Sequence, residues 1–142
     1  MSLSHPIRCS LLLIWLLPLA SAATELILPP EDVDLVGEIR YVNARHEDTL
    51  LDIARYFDLG KNEIKSANPG VDTWLPGDGR RIMLPTRYIL PDVPRKGLVL
   101  NLPEMRLYYF PPARRGQVRR VVTHPISIGR MDWKTPLGKT RI

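Results

Sequence analysis

Residues 40–85 read RYVNARHEDTLLDIARYFDLGKNEIKSANPGVDTWLPGDGRRIMLP, and the order of elements in this stretch decides the fold. Ile39 to Asn43 is a short strand. His46-Glu47-Asp48-Thr49 is a turn that can cap a helix, because Thr49 with Asp52 three residues on fits a capping box. Leu50, Ile53, Ala54 and Phe57 then fall at i, i+3, i+4 and i+7, the apolar stripe of a helix of two to three turns. Leu59-Gly60 ends it. Asn62 to Ala67 is a second short helix with Ile64 and Ala67 on one face. Asn68-Pro69-Gly70 stops that helix, since proline disfavours helical geometry in its predecessor and glycine supports a reversal. Trp74 to Gly79 is a turn region, and Arg81 to Leu84 a closing strand ended by Pro85. The predicted order is strand, helix, helix, strand.

This stretch resembles the LysM family. The matching pieces are Tyr41-Val42, Glu47-Asp48-Thr49-Leu50, Ile53-Ala54-Arg55-Tyr56-Phe57, Glu63-Ile64, Ala67-Asn68-Pro69-Gly70, Leu75-Pro76-Gly77 and Ile82-Met83-Leu84-Pro85. The resemblance implies a two-stranded antiparallel sheet with both helices on one face. It also implies a shallow groove for N-acetylglucosamine-containing glycans, between the loop entering the first helix and the loop leaving the second. By position, the glycan-binding residues implied are Asp48, Thr49, Leu50, Asn68, Pro69, Gly70 and Val71. One departure is Ala44-Arg45-His46-Glu47, where the family usually has a more glycine-containing turn. Each residue also has a plainer role: Asp48 and Thr49 cap a helix, Asn68 terminates one, and Leu50 and Val71 fit a core. Trp74 reads as a packing anchor under its loop, with stacking on a sugar ring as the rival. His46, in a polar turn, reads as solvated.

Downstream, Gly97 to Phe110 reads as two strands joined by a turn at Pro103-Glu104, and Val118 to Ile128 as a third. Lys134-Thr135-Pro136-Leu137-Gly138 makes a turn. This order resembles the start of the YkuD-type catalytic domain of periplasmic L,D-transpeptidases, in which such a domain follows a LysM module. The resemblance implies a cysteine thiolate that attacks a peptidoglycan stem peptide, a histidine partner and an oxyanion hole. The family carries these in His-Gly and Ser-x-Gly-Cys motifs well beyond the Thr-Pro-x-Gly turn, so no catalytic residue is expected among these 142. Ser66 and Ser127 lack a Gly-x-Ser-x-Gly setting, and His124 near Ser127 lacks an orienting acid. Two histidines, His46 and His124, make no metal-ligand spacing, and no cofactor is implied. Arg114, Arg115, Arg119 and Arg120 flank a hairpin and read as a solvated turn.

The N-terminus reads as an export signal over residues 1–22. One basic residue, Arg8, precedes the apolar run Leu11 to Ala20, and Ala20-Ser21-Ala22 offers small residues at cleavage spacing. Such a run is too short to span a bilayer, which needs about 20 residues. Cys9 precedes it, so it is not the acylated first residue of a lipoprotein. Cleavage would leave a chain without cysteine, hence with neither disulfide nor thiolate metal site. The net charge of +5 falls with the loss of Arg8 and suits anionic envelope polymers better than nucleic acid. The 14 prolines argue for short elements between stiff turns and exclude a long helical bundle.

The expectation is therefore an α+β chain: signal peptide 1–22, extended lead-in 23–39 contributing an edge strand, βααβ LysM module 40–85, Pro-rich connector 86–96, and at 97–142 the first strands of a mostly-β L,D-transpeptidase domain. Three strands with free edges are expected to be unstable alone, whereas 40–85 should fold. The expected location is the periplasm, with no membrane span after cleavage. The expected partners are peptidoglycan glycans, stem peptides for the full enzyme, and an envelope lipoprotein as acyl acceptor. A non-catalytic wall-binding adaptor is the alternative.

Overall fold

The computed structural model describes residues 24–113, 115–128 and 137–139, so the signal-peptide stretch, Arg114 and most of the Lys134–Gly138 turn lie outside it. In chain order the elements are β1 (Thr24–Ile27), β2 (Leu35–Gly37), β3 (Arg40–Asn43), α1 (Leu50–Tyr56), α2 (Lys61–Ala67), β4 (Arg81–Leu84), β5 (Arg87–Ile89), β6 (Gly97–Asn101), β7 (Arg106–Phe110) and β8 (Arg120–Pro125). The fold is mixed α+β, mostly strand with two helices. Among the described residues, no helix is long and apolar enough to cross a membrane.

The predicted strand-helix-helix-strand order is present: β3 pairs antiparallel with β4, and α1 and α2 lie between them in sequence. Its core is self-contained. Ala44, Leu50, Ile53, Ala54, Leu59, Ile64, Ile82 and Leu84 are buried together, with Val42, Phe57 and Val71 packed against them. Each fully buried Leu or Ile stabilises the unit by about 1.5–3 kcal/mol before the entropy of ordering it is counted.

The flanking segments carry strands of their own, the lead-in an edge strand as its extended reading expects. Residues 23–39 hold β1 and β2, and residues 86–96 hold β5, which pairs antiparallel with β2. The β2–β5 ladder continues the β3–β4 ladder in the same register, Gly37 opposite Arg87 and Arg40 opposite Leu84. One ribbon therefore carries the helical unit at its tip. It is interrupted at Glu38-Ile39 and Pro85-Thr86, where the Thr86 amide turns back to the Leu84 carbonyl at 2.8 Å. There the Thr86 hydroxyl bonds the Glu38 carbonyl at 2.5 Å instead. Gly37, with φ +79°, allows this approach: a Cβ there would collide with the Thr86 carbonyl.

The remaining strands form one antiparallel sheet in the order β1-β8-β7-β6. The three strands read from residues 97–142 are thus joined by a fourth from the lead-in, Thr24 opposite Thr123 and Ile27 opposite Arg120. Its core gathers Leu28, Val36, Tyr88, Leu90, Tyr108, Phe110 and Val121, with Leu26 and Val99 against them. Residues from before and after the helical unit are both needed to complete it.

Candidate functional site

Two loops of the helical unit carry the residues singled out above. Thr49 caps α1 as its spacing predicts: its hydroxyl accepts from the Asp52 amide at 3.0 Å and donates to the Asp52 carboxylate at 2.6 Å. The Thr49 hydroxyl, more than any other group, holds the exposed Asp52 carboxyl below its ordinary range. Asp48 closes the preceding turn, accepting from the Arg45 amide at 2.8 Å. At the far end of α2 the turn through Pro69 and Gly70 is exposed, with φ +78° at Gly70. A hydrogen bond of 2.9 Å from the Leu50 amide to the Thr73 carbonyl ties the two loops side by side.

Not every candidate side chain faces outward. Leu50 is fully buried in the core. Asn68, only 7% exposed, uses its side chain internally: Nδ2 donates to the Ile64 and Met83 carbonyls at 2.8 and 2.9 Å, and Oδ1 accepts from the Met83 amide at 2.8 Å. It clamps the end of α2 to β4. Both side chains are therefore turned into the fold, and what remains at the surface of the two loops is Asp48, Thr49, Pro69, Gly70 and part of Val71.

The reading of Trp74 as an anchor is corrected. Trp74 is 65% exposed and its neighbour Leu75 77%. The loop is held by the exposed Asp72, whose Oδ1 accepts from the Trp74 and Leu75 amides at 2.8 Å each. Those amides, Leu75's first, keep the Asp72 carboxyl below its ordinary range. A short polar turn thus does the anchoring and frees the indole. This combination of tight turns, fixed amides and one projecting aromatic suits a flat sugar chain.

A second constellation was not legible in the sequence. The Arg106 side chain, 1% exposed, comes from β7 and reaches the helical unit. Its Nε and Nη2 grip the Glu63 carboxylate at 2.8 and 2.7 Å, Nη1 donates to the Thr123 hydroxyl at 3.2 Å, and Nη2 reaches the Asp58 carbonyl at 3.3 Å. The guanidinium lies 4.2 Å from the Tyr88 ring centroid. Burial pulls its pKa down, and the Glu63 bonds and nearby tyrosines more than restore it, so the group stays charged. Burial raises the Tyr88 phenol to about 12. Glu63 also accepts from the Gly60 amide at 2.6 Å, so the carboxylate that starts α2 is the one the sheet holds.

Asp58 completes this node. It has φ +54°, the left-handed position after α1 where glycine is the usual residue. The Leu59 amide bonds the Ala54 carbonyl and the Asp58 amide the Arg55 carbonyl, as in a Schellman ending. Aspartate supplies what glycine lacks: its carboxylate meets His124 Nδ1 at 3.0 Å and the Thr24 amide at 3.3 Å. His124 is therefore turned to Asp58. Ser66 and Ser127 are exposed, the former on α2 and the latter just past β8. Among the described residues no three His, Cys, Asp or Glu side chains converge as metal ligands would. Of the arginines flanking the predicted hairpin, Arg119 pairs with Glu31 and Arg120 with Glu25 at the surface.

Over 89% of its length the chain is 36% identical to YcfS of Escherichia coli strain K12, named a probable L,D-transpeptidase. It is 40% identical over 82% of its length to ErfK/SrfK of the same organism, and 36% identical over 80% to YbiS, both named likewise. The chain spans 39%, 37% and 36% of these relatives, respectively. No family model matches the chain.

Proposed function

We propose that residues 40–85 are a LysM module that binds N-acetylglucosamine-containing glycan strands, and that the chain is the N-terminal part of an exported periplasmic L,D-transpeptidase. The observation that carries the binding half is the Leu50–Thr73 hydrogen bond, which sets the loop entering α1 beside the loop leaving α2 with Trp74 projecting next to them. The glycan would lie across Asp48, Thr49, Pro69, Gly70 and Val71, meeting backbone groups and the indole. Leu50 and Asn68 would hold those loops in shape from beneath.

The names of the relatives support the catalytic half. In such an enzyme a cysteine thiolate attacks a carbonyl of a stem peptide, the terminal residue leaves as an amine, and the acyl-enzyme is resolved by a second amine. That amine would belong to another stem peptide, giving a cross-link, or to a lysine of an envelope lipoprotein. The residues described here would hold the wall in place for that chemistry rather than perform it.

Co-sedimentation with insoluble peptidoglycan tests the reading. Trp74→Ala and Asp48→Ala should each lower the bound fraction several-fold while the far-ultraviolet circular dichroism stays unchanged. Wild-type chain left in the supernatant would overturn it.

A further inference from the structure

A cleft separates the helical unit from the β1 edge of the sheet, which no other described strand covers. It is lined by Thr24, Glu25 and Leu26 of β1, by Gly37, Glu38, Arg40 and Thr86 of the ribbon, and by Tyr56 and Phe57 at the end of α1. Three consecutive residues of β1 line it, so it runs along the strand's edge rather than over one face. The Leu28 amide bonds the Arg119 carbonyl of the neighbouring chain segment. By the antiparallel alternation, the backbone N–H and C=O of Glu25 and Ile27 point away from β8, toward the side where no described strand pairs with β1.

The cleft's side chains are of mixed character. Tyr56 is 80% exposed and stands edge-on to Phe57, with ring centroids 4.9 Å apart. Arg40 lies over the Phe57 ring at 5.9 Å. Glu38 and Glu25 are exposed carboxylates, Glu25 sharing its charge with Arg120 at 3.0 Å. An anionic polymer would meet these carboxylates unfavourably, and an uncharged sugar would leave both signs of charge unused. A short peptide bearing a free ammonium and a free carboxylate uses both signs: ammonium to Glu38, carboxylate to Arg40, backbone to the edge of β1, and an apolar side chain to Tyr56.

We propose that this cleft is a second binding site, for the peptide branch of peptidoglycan. The proposal rests on the glycan-binding reading above. The two sites lie toward opposite ends of α1, a helix of 7 residues and hence about 10 Å long. A peptide of a few residues extends about 3.3 Å per residue, enough to cover that span from a sugar held at the loops. The wall would then be gripped at two points, sugar at the tip and peptide at the junction with the sheet.

The experiment is calorimetric titration of the whole chain with three probes: chitotetraose, the bare wall disaccharide, and the same disaccharide carrying its tetrapeptide. The peptide-bearing disaccharide should bind about fivefold tighter than the bare one. Tyr56→Ala and Glu38→Gln, both at exposed positions, should remove most of that gain and leave chitotetraose affinity unchanged. Equal affinity for the two disaccharides, or a gain that survives both substitutions, overturns the second site while the glycan reading stands. Failure of all three probes to bind overturns the glycan reading and this proposal with it.

Discussion

The helical unit and the sheet are held together in different ways. The core of the unit is aliphatic and drawn from residues 44–84, so its contacts are local and its pattern is periodic. The sheet's core is richer in aromatic groups, borders the buried Arg106, and draws on residues 28–36, 88–90 and 108–121. Its outermost pairing joins β1 to β8 across most of the chain. Contacts so distant in sequence carry a large loop-closure cost before any burial offsets it. The unit is therefore the part expected to form early and alone. The sheet is the part that waits for both flanks, and Arg106 joins the two through Glu63 and Asp58.

That contrast is most severely tested at the junction. Arg106→Ala strands the Glu63 carboxylate in a half-buried place and should cost about 3–5 kcal/mol in urea unfolding followed by circular dichroism. The loss should fall on the sheet, with amide protection in α1 and α2 outlasting that in β7 and β8. Simultaneous loss in both regions would mean that the unit does not stand alone. Next, Asn68→Ala leaves the Met83 amide and the Ile64 carbonyl without their partner. It should cost about 1–3 kcal/mol and be confined to the unit, read as faster exchange at Met83.

Alkaline titration should act on the sheet side. Tyr88 has its folded pKa raised by burial to about 12 against an ordinary value of 10.0. Its contribution is complete below pH 10, declines as the unfolded chain ionises first, and is gone once pH passes about 12. Tyr88→Phe should flatten that decline in a pH series of urea midpoints. The smallest net effect belongs to Asp58→Gly. Relief of the left-handed backbone offsets the lost bonds to His124 and Thr24, leaving a change within about 1 kcal/mol. Exchange at the Thr24 amide should nevertheless rise, which a purely local helix ending would not produce.

Sequence reading succeeded where structure is local. The Thr49–Asp52 capping box, the Leu50-Ile53-Ala54-Phe57 stripe and the strand ended by Pro85 are all present, because each is a rule of a few neighbouring residues. The turn at Pro103-Glu104 between β6 and β7 followed from the same kind of rule. Short strands defeated it. β2 and β5 have three residues each, too few for a periodic signal, and their pairing spans the whole helical unit. Arg106 drew no reading of its own, since nothing near it in sequence announces Glu63 or Tyr88. At the candidate site the positions of the two loops were legible, but the inward turn of Asn68 and the outward turn of Trp74 were not. Both depend on partners, Met83 and Asp72, whose role only the folded loop reveals.

The ribbon that carries the helical unit has one further consequence. The chain enters the unit at Arg40 and leaves it at Leu84, and these two residues are directly paired. The unit is thus an insertion whose entrance and exit are neighbours, hung from β2 and β5 as a cassette from a clip. A tight turn could replace it and leave a plain hairpin, and a longer insert could take its place without rethreading the sheet. Genetic exchange at this point could replace the unit while keeping the sheet that carries it.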